Sequence, residues 1–203
     1  MFKRLPPASF FSGVNFTEIM QVKALSKIIL FAIIAIFGIV LKSFLIPRLN
    51  SDSFLDSCSR GDNISEFIKV NPEYLSFIDE NGWSCLINAS KNGKVELVKL
   101  LLKQGAKTEL SDGQHTAIRG AGLNGHLEVV QLLIEAGANV NAFSSKRKTA
   151  LMGAAMNGHE RIVKLLLQHG ADPNLINEYG ETASVLAEKK GYLSVSDLLR
   201  SIR

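Results

Sequence analysis

Two cysteines and four histidines are the side chains of this 203-residue chain that are most able to do chemistry. A thiolate beside an imidazole can act as a nucleophile, and four such groups at close spacing can bind zinc. Cys58 and Cys85 are too few for a four-thiolate zinc site or a disulfide framework, and no histidine pair has zinc-finger spacing. His115 and His169 have no sequence neighbour that suggests a metal or a base. We interpret both cysteines as small core residues.

Other signatures of catalysis are absent from the sequence. No glycine-rich loop that could cradle a phosphate follows a predicted strand, and no Gly-x-Ser-x-Gly elbow is present. We therefore predict a protein that is not an enzyme, with no cofactor, no metal and no small-molecule substrate.

The charge of the chain is concentrated at its N-terminal end. Six basic side chains against Glu18 give residues 1–50 a net charge of +5, which leaves −1 for residues 51–203 out of the total of +4. A nucleic-acid binder needs a basic face on its folded domain. The distribution thus argues against a nucleic-acid partner.

A long apolar run indicates a membrane anchor. Ile28–Leu41 is fourteen residues without a polar side chain, which is about 21 Å of helix against a hydrocarbon core of about 30 Å. Extension to Ile46 gives a span of about 28 Å, and Lys42 near its end can extend to the interface. The N-terminal part therefore divides into a flexible tail, a transmembrane signal-anchor helix in contact with the lipid bilayer, and a linker: 1–23, 24–46 and 47–51.

Two alternatives to the anchor remain open, a cleaved signal peptide and a buried core helix. No small-x-small cleavage site follows the apolar run, and residues 1–22 supply no matching apolar periodicity. Four Lys or Arg residues precede the run and three follow it, which mildly favours a cytoplasmic N-terminus and a C-terminal domain across the membrane. We also consider a translation start at Met20, where a compact signal-anchor would begin.

The rest of the chain is periodic. Two sets of glycines recur at spacings of 32 or 33 residues: Gly93, Gly125, Gly158 and Gly191, then Gly105, Gly137 and Gly170. Apolar pairs at helical spacing lie between the two sets, and an Asn-Gly turn precedes three of these segments. The pattern predicts pairs of short helices, each pair ended by a glycine in the left-handed conformation.

These segments resemble the ankyrin repeat. The clearest copies read Asn124-Gly-His-Leu-Glu-Val-Val-Gln-Leu-Leu-Ile-Glu-Ala-Gly-Ala-Asn and Asn157-Gly-His-Glu-Arg-Ile-Val-Lys-Leu-Leu-Leu-Gln-His-Gly-Ala-Asp. The resemblance implies an all-α solenoid of stacked helix-turn-helix units with loop tips over residues 52–203. It divides that domain into a degenerate first repeat, three full repeats and a terminal capping repeat: 52–78, 79–111, 112–144, 145–177 and 178–203.

The sequence also departs from the family pattern. The family's Thr-Pro-Leu-His tetrapeptide begins here at Ser84, Thr116, Thr149 and Thr182 and loses its proline and histidine. His126 and His159 match the family's turn histidine, which implies hydrogen bonds to the backbone of adjacent turns.

The resemblance also implies a protein-binding surface formed by the inner helices and the loop tips. Gly120 and Gly153 predict either a shallow apolar groove beside Leu123 and Met156 or merely close helix contact. Lys146-Arg147-Lys148 is either a solvated loop tip or a contact for an acidic partner or anionic headgroups. The candidate partner-binding residues are Asn88, Lys91, Gly120, Leu123, Lys146, Arg147, Lys148, Gly153, Met156 and Lys189.

The sequence as a whole predicts a single-pass, membrane-anchored protein that presents a non-catalytic binding surface to a protein partner. Two other functions remain open. One is a secreted or host-directed ankyrin protein with an N-terminal targeting signal. The other is an accessory subunit that stabilises a membrane or periplasmic enzyme.

Overall fold

The computed structural model describes residues 51–109 and 113–202, without the side chains of residues 51–53. The predicted tail, anchor and most of the linker lie outside the described residues. Within the described ranges, no helix is both long enough and apolar enough to cross a membrane.

The described part of the chain is helical, as predicted, with one isolated β-bridge between Ser144 and Lys148 and no strand. Short 3₁₀ segments lie at Pro72–Ser76 and Ser145–Arg147. Residues 51–109 and 113–202 contain ten α-helices: α1 Ser51–Arg60, α2 Ser65–Val70, α3 Cys85–Lys91, α4 Val95–Lys103, α5 Ala117–Leu123, α6 Leu127–Glu135, α7 Ala150–Met156, α8 Glu160–Gln168, α9 Ala183–Lys189 and α10 Leu193–Ser201.

The helices form two parallel rows. The inner row is α1, α3, α5, α7 and α9, and each of these helices packs against the next. The outer row contains α4, α6 and α8, which also contact one another in order. The last four inner helices each contain a fully buried alanine, whose small side chain lets neighbouring helices approach closely: Ala89, Ala121, Ala154 and Ala187. Each outer helix adds large buried side chains to one continuous core, including Leu101, Leu133 and Leu166.

A hydroxyl side chain begins each of the last four inner helices. The Ser84 Oγ atom accepts a hydrogen bond from the Ile87 amide at 3.3 Å, and Thr116 accepts one from the Arg119 amide at 3.4 Å. Thr149 and Thr182 cap α7 and α9 in the same way. Such caps satisfy an amide that has no partner within the helix, so these positions define where each inner helix starts.

Glycines end the outer helices as the sequence predicts. Gly105, Gly137 and Gly170 have φ values of 89°, 83° and 83°, in the left-handed region. The alanine after each glycine donates a hydrogen bond to a carbonyl five residues earlier, for example Ala138 to Leu133 at 2.9 Å. This arrangement satisfies carbonyls that the helix end would leave unpaired.

The predicted role of the turn histidines is confirmed. His126 Nε2 lies 3.0 Å from the Lys91 carbonyl oxygen, and His159 Nε2 lies 3.2 Å from that of Leu123. Both carbonyls belong to the preceding repeat, so these imidazoles tie one turn to the next.

The two cysteines form a disulfide, which the sequence analysis did not predict. Cys58 on α1 and Cys85 on α3 are bonded, with their Cα atoms 5.3 Å apart. Both are buried, as expected of core residues. The bond links the first inner helix to the second and closes a long loop that holds α2 and the Pro72–Ser76 segment.

Candidate functional site

The inner row of helices places equivalent positions of successive repeats side by side. We count positions from the capping residues Ser84, Thr116, Thr149 and Thr182. The residue before each cap is Trp83, His115, Lys148 and Glu181 in turn. The third residue after each cap is Ile87, Arg119, Met152 and Val185. We call each such set of equivalent positions a column. A residue that differs in polarity or charge from the others in its column marks a position where one repeat differs from its neighbours.

A cavity of about 200 Å³ opens on the inner row between α3 and α5. We call it the Trp83 cavity. It is lined by Trp83, Ile87, Lys91, His115, Thr116, Arg119, Gly120, Leu123 and Asn124. A neighbouring cavity of about 370 Å³ shares Trp83 and Lys91 with it. Because Trp83 and Lys91 line both cavities, we refer to the two together as the groove.

Trp83 makes two aromatic contacts in this groove. Its ring stacks on the His115 ring with 4.0 Å between centroids and 22° between planes. The Lys91 Nζ atom lies 4.5 Å from the centre of the Trp83 ring, within the range of a cation–π interaction. These contacts hold a cation, an imidazole and a flat apolar surface together at the wall of the cavity.

Arg119 is a charged residue at a position where the other repeats have apolar side chains. Ile87 and Met152, at the equivalent positions, are each 2 % exposed. The Arg119 Nε atom is buried and has no hydrogen-bond partner, and no ion pair reaches this side chain within the described residues. Burial lowers the pKa of the Arg119 guanidinium. A cation therefore lines the cavity at a position that its neighbours fill with apolar side chains.

Four of the predicted binding residues lie along this groove. Lys91, Gly120 and Leu123 line the Trp83 cavity, and Asn88 lines the neighbouring one. Met156 and Lys189 stand at the positions equivalent to Lys91 and Leu123 on the next two inner helices, and Met156 is half-buried. The prediction that these residues bind a partner remains a prediction.

The two predicted glycines mainly allow close contact between inner helices. A Cβ atom at Gly120 would lie 3.3 Å from the Lys91 Cβ, and one at Gly153 would lie 3.3 Å from the Leu123 Cβ. Gly153 is buried, whereas Gly120 also lines the Trp83 cavity. Gly153 therefore allows close contact between two inner helices, whereas Gly120 allows such contact and also lines an open cavity.

The basic loop tip is engaged in contacts of its own. Lys146 Nζ donates to the Tyr179 hydroxyl at 2.9 Å and lies 3.8 Å from a Glu178 carboxylate oxygen. The hydrogen bond to Tyr179, ahead of the nearby charges, raises the pKa of Lys146. Arg147 lies 4.4 Å from the centre of the Phe143 ring. Lys146 and Arg147 both have positive φ, at 61° and 52°, which is a costly conformation for residues with a Cβ atom.

Lys189 is also paired. Its Nζ atom lies 2.5 Å from the Oε1 atom of Glu181, and the Oε2 atom of Glu181 accepts a hydrogen bond from the Asn177 side-chain amide at 2.8 Å. The Lys189 hydrogen bond, followed by that of Asn177, lowers the pKa of Glu181. Lys146 and Lys189 thus have acidic partners, whereas neither Lys91 nor Arg119 forms an ion pair with a described residue.

Sequence reasoning missed Trp83, His115 and Arg119 as site residues. An alignment of the repeats on their capping residues could have identified Arg119, because it shows a cation where the repeats before and after have Ile87 and Met152. The same alignment could have predicted the contact between Trp83 and His115, since both residues directly precede a cap and so occupy equivalent positions in adjacent repeats.

The arrangement suits non-covalent recognition. Within the described residues, no group of three or more His, Cys, Asp or Glu side chains could hold a metal ion, and the disulfide occupies both cysteines. The groove instead offers a flat aromatic face, two cations and a half-buried apolar residue, Leu123.

Comparison with known protein families agrees with the repeat pattern. A family model described as ankyrin repeats (3 copies) matches residues 55–144 and residues 141–202. No curated protein of similar sequence is found.

Proposed function

Because this chain belongs to the ankyrin-repeat family, whose domains are non-catalytic protein-interaction modules, we propose that it holds a partner protein beside a membrane. The single observation that carries the interaction role is the groove on the inner row, where cations and aromatic surface line an open cavity. Buried aromatic and arginine side chains are the residues that most often dominate the energy of a protein interface.

The membrane part of the proposal depends on the apolar segment 24–46. Its length and flanking charges suit a single-pass anchor, and residues 47–51 would leave only a short linker before α1. The partner would therefore be bound close to the bilayer.

We place the repeats on the non-cytoplasmic side of that membrane. The disulfide between Cys58 and Cys85 supports this choice, because disulfides persist in oxidising compartments and are rare in the cytosol. The excess of basic residues before the apolar segment favours the same orientation.

Site-specific photo-crosslinking tests the interaction role. A benzoylphenylalanine replaces Met156 on the inner row or, as a matched control, Gln168 on the outer helix α8, and the full chain is irradiated in its native membranes. We expect one defined protein adduct, identified by mass spectrometry, from position 156 and none from position 168. The same adducts from both positions, or none from position 156, would refute the proposal.

Topology and anchoring need two further measurements. A compartment-sensitive reporter after Arg203 should indicate the non-cytoplasmic side, and the protein should stay in the membrane pellet after a carbonate wash. A carbonate-soluble product would favour the secreted alternative. Co-purification of an enzymatic activity that decays without this chain would favour the accessory-subunit alternative.

A further inference from the structure

Arg119 is half-buried, and its Nε atom is the one buried side-chain nitrogen of the described residues without a hydrogen-bond partner. The residue stands where the neighbouring repeats have buried isoleucine and methionine. A half-buried cation with a buried, unpaired nitrogen costs stability, and an apolar residue of similar length would suit this position. Arg119 thus lowers the stability of the domain relative to an apolar residue at the same position.

A second cation, Lys91, adds to the positive charge of the cavity. Lys91 lines the same cavity with its Nζ atom above the Trp83 ring, and it forms no ion pair with any described residue. Among the described residues, none that lines the Trp83 cavity carries a carboxylate. A group that enters this cavity therefore meets two cations and a flat aromatic wall.

We propose that the Trp83 cavity binds the side-chain carboxylate of a single glutamate or aspartate in an extended segment of the partner protein, with Arg119 as the principal contact and Lys91 as the second. Arginine suits this role because its planar guanidinium binds a carboxylate through two parallel hydrogen bonds. The inference rests on the proposed function, since it names the chemistry by which the same groove recognises its partner.

The neighbouring cavity argues for a single acidic side chain rather than a polyanion. It is lined by Asp56 and Asp79 and shares Trp83 and Lys91 with the Trp83 cavity. The Asp79 Oδ1 atom accepts hydrogen bonds from the Asn81 and Trp83 amides, which keeps this carboxylate next to Trp83. A nucleic acid or a run of acidic residues laid along the groove would meet these two carboxylates, whereas one acidic residue with neutral neighbours would not.

The test compares two peptide pools that differ by one functional group. Each pool contains acetylated, amidated heptapeptides that are random at six positions without Asp or Glu, and the central residue is Glu in one pool and Gln in the other. The peptides are immobilised, and retention of the detergent-solubilised full chain is measured. We expect the Glu pool to retain about tenfold more protein, the size of one charge-assisted hydrogen-bonded contact.

Variants then assign the preference to the cavity. Arg119→Met should reduce the Glu-to-Gln ratio to about one, and Arg119→Lys should leave it intermediate because lysine keeps the charge without the planar fork. Arg161→Met, which removes an exposed cation from the outer helix α8, should leave the ratio unchanged. A ratio of one for the natural protein, no effect of Arg119→Met, or an equal effect of Arg161→Met would overturn the inference.

Two further outcomes separate the possible causes of failure. Displacement of the protein from the Glu pool by millimolar free glutamate or inorganic phosphate would indicate a small-anion site and overturn the inference. A defined crosslink from position 156 without any Glu preference would leave the interaction module standing and reject only its carboxylate specificity. Absence of both would reject the proposed function itself.

Discussion

Trp83 and His115 are 32 residues apart in the chain, yet their rings stack with 4.0 Å between centroids. Each residue directly precedes the cap of an inner helix, so the stacking of repeats alone brings them together. The same column continues with Lys148 and Glu181, and the charge of Lys148 contributes to the lowered pKa of Glu181. One column of the solenoid thus changes from aromatic to ionic along its length.

Removal of the Trp83 ring should weaken the contact between the second and third inner helices. Trp83→Ala loses the stack on His115 and the cation–π contact with Lys91, so we expect a loss of about 1–2 kcal/mol in the free energy of unfolding. Trp83→Phe keeps an aromatic face and should lose less. Urea unfolding followed by circular dichroism measures both variants, and equal losses would contradict the stacking role.

Loss of the disulfide should destabilise one end of the domain. In the chain-entropy account, closure of the loop between Cys58 and Cys85 contributes about 3–4 kcal/mol. In a solenoid each repeat contacts only its neighbours, so the effect should be local. In the Cys58→Ser/Cys85→Ser variant, hydrogen exchange should accelerate over residues 54–70 and stay unchanged over 149–202. Uniform acceleration over both ranges would contradict this local account.

Replacement of Arg119 by an apolar residue should stabilise the fold. Arg119→Met gives this position the side chain that Met152 supplies in the next repeat, and it removes a buried unpaired nitrogen, for a gain of about 1 kcal/mol. Thermal unfolding measures the gain, with Arg161→Met on the exposed outer surface as the control that should change little. A destabilised Arg119→Met variant would show that the guanidinium supports the fold, contrary to our interpretation.

Two glycines with similar backbone conformations should differ in their tolerance of a side chain. Gly125 and Gly137 have φ values of 80° and 83°, so alanine should cost about 1 kcal/mol at either from the left-handed conformation. At Gly137 a Cβ atom meets nothing within 4 Å, whereas at Gly125 it would lie 2.7 Å from the His159 ring. We expect Gly125→Ala to lower the urea midpoint clearly more than Gly137→Ala, and equal shifts would argue against the packing of His159 on this turn.

Glu181 should contribute stability that acid removes. Since its pKa in the folded protein is below the ordinary value of 4.5, the contribution is complete above that value and is lost as the pH falls through the lower folded pKa. Glu181→Gln should therefore lower the melting temperature at pH 7, by no more than a few degrees for a pair near the surface. The difference between the two proteins should shrink as the pH falls below 4.5, and a difference that persists at pH 2 would contradict the assignment.

The sequence predicted the helices because their signals are local. Capping residues such as Thr116, left-handed glycines such as Gly137 and apolar pairs at helical spacing each act within a few residues. The resemblance to the ankyrin repeat, carried by their recurrence at 32 or 33 residues, implied the stack and the contacts of His126 and His159 to adjacent turns. The N-terminal anchor remains a prediction, since it lies outside the described residues.

The contacts between unlike residues of neighbouring repeats depended on the tertiary structure. Cys58 and Cys85 are 27 residues apart, which is not the period of the repeat, so no column in the sequence pairs them. The partnerless Nε atom of Arg119 and the cavity beside Trp83 depend on how closely each helix approaches the next, which the volumes of several side chains decide together. The sequence by itself determined the repeated scaffold because its signals are short-range and periodic, and the tertiary structure decided the disulfide and the binding groove because these arise where the packing departs from that period.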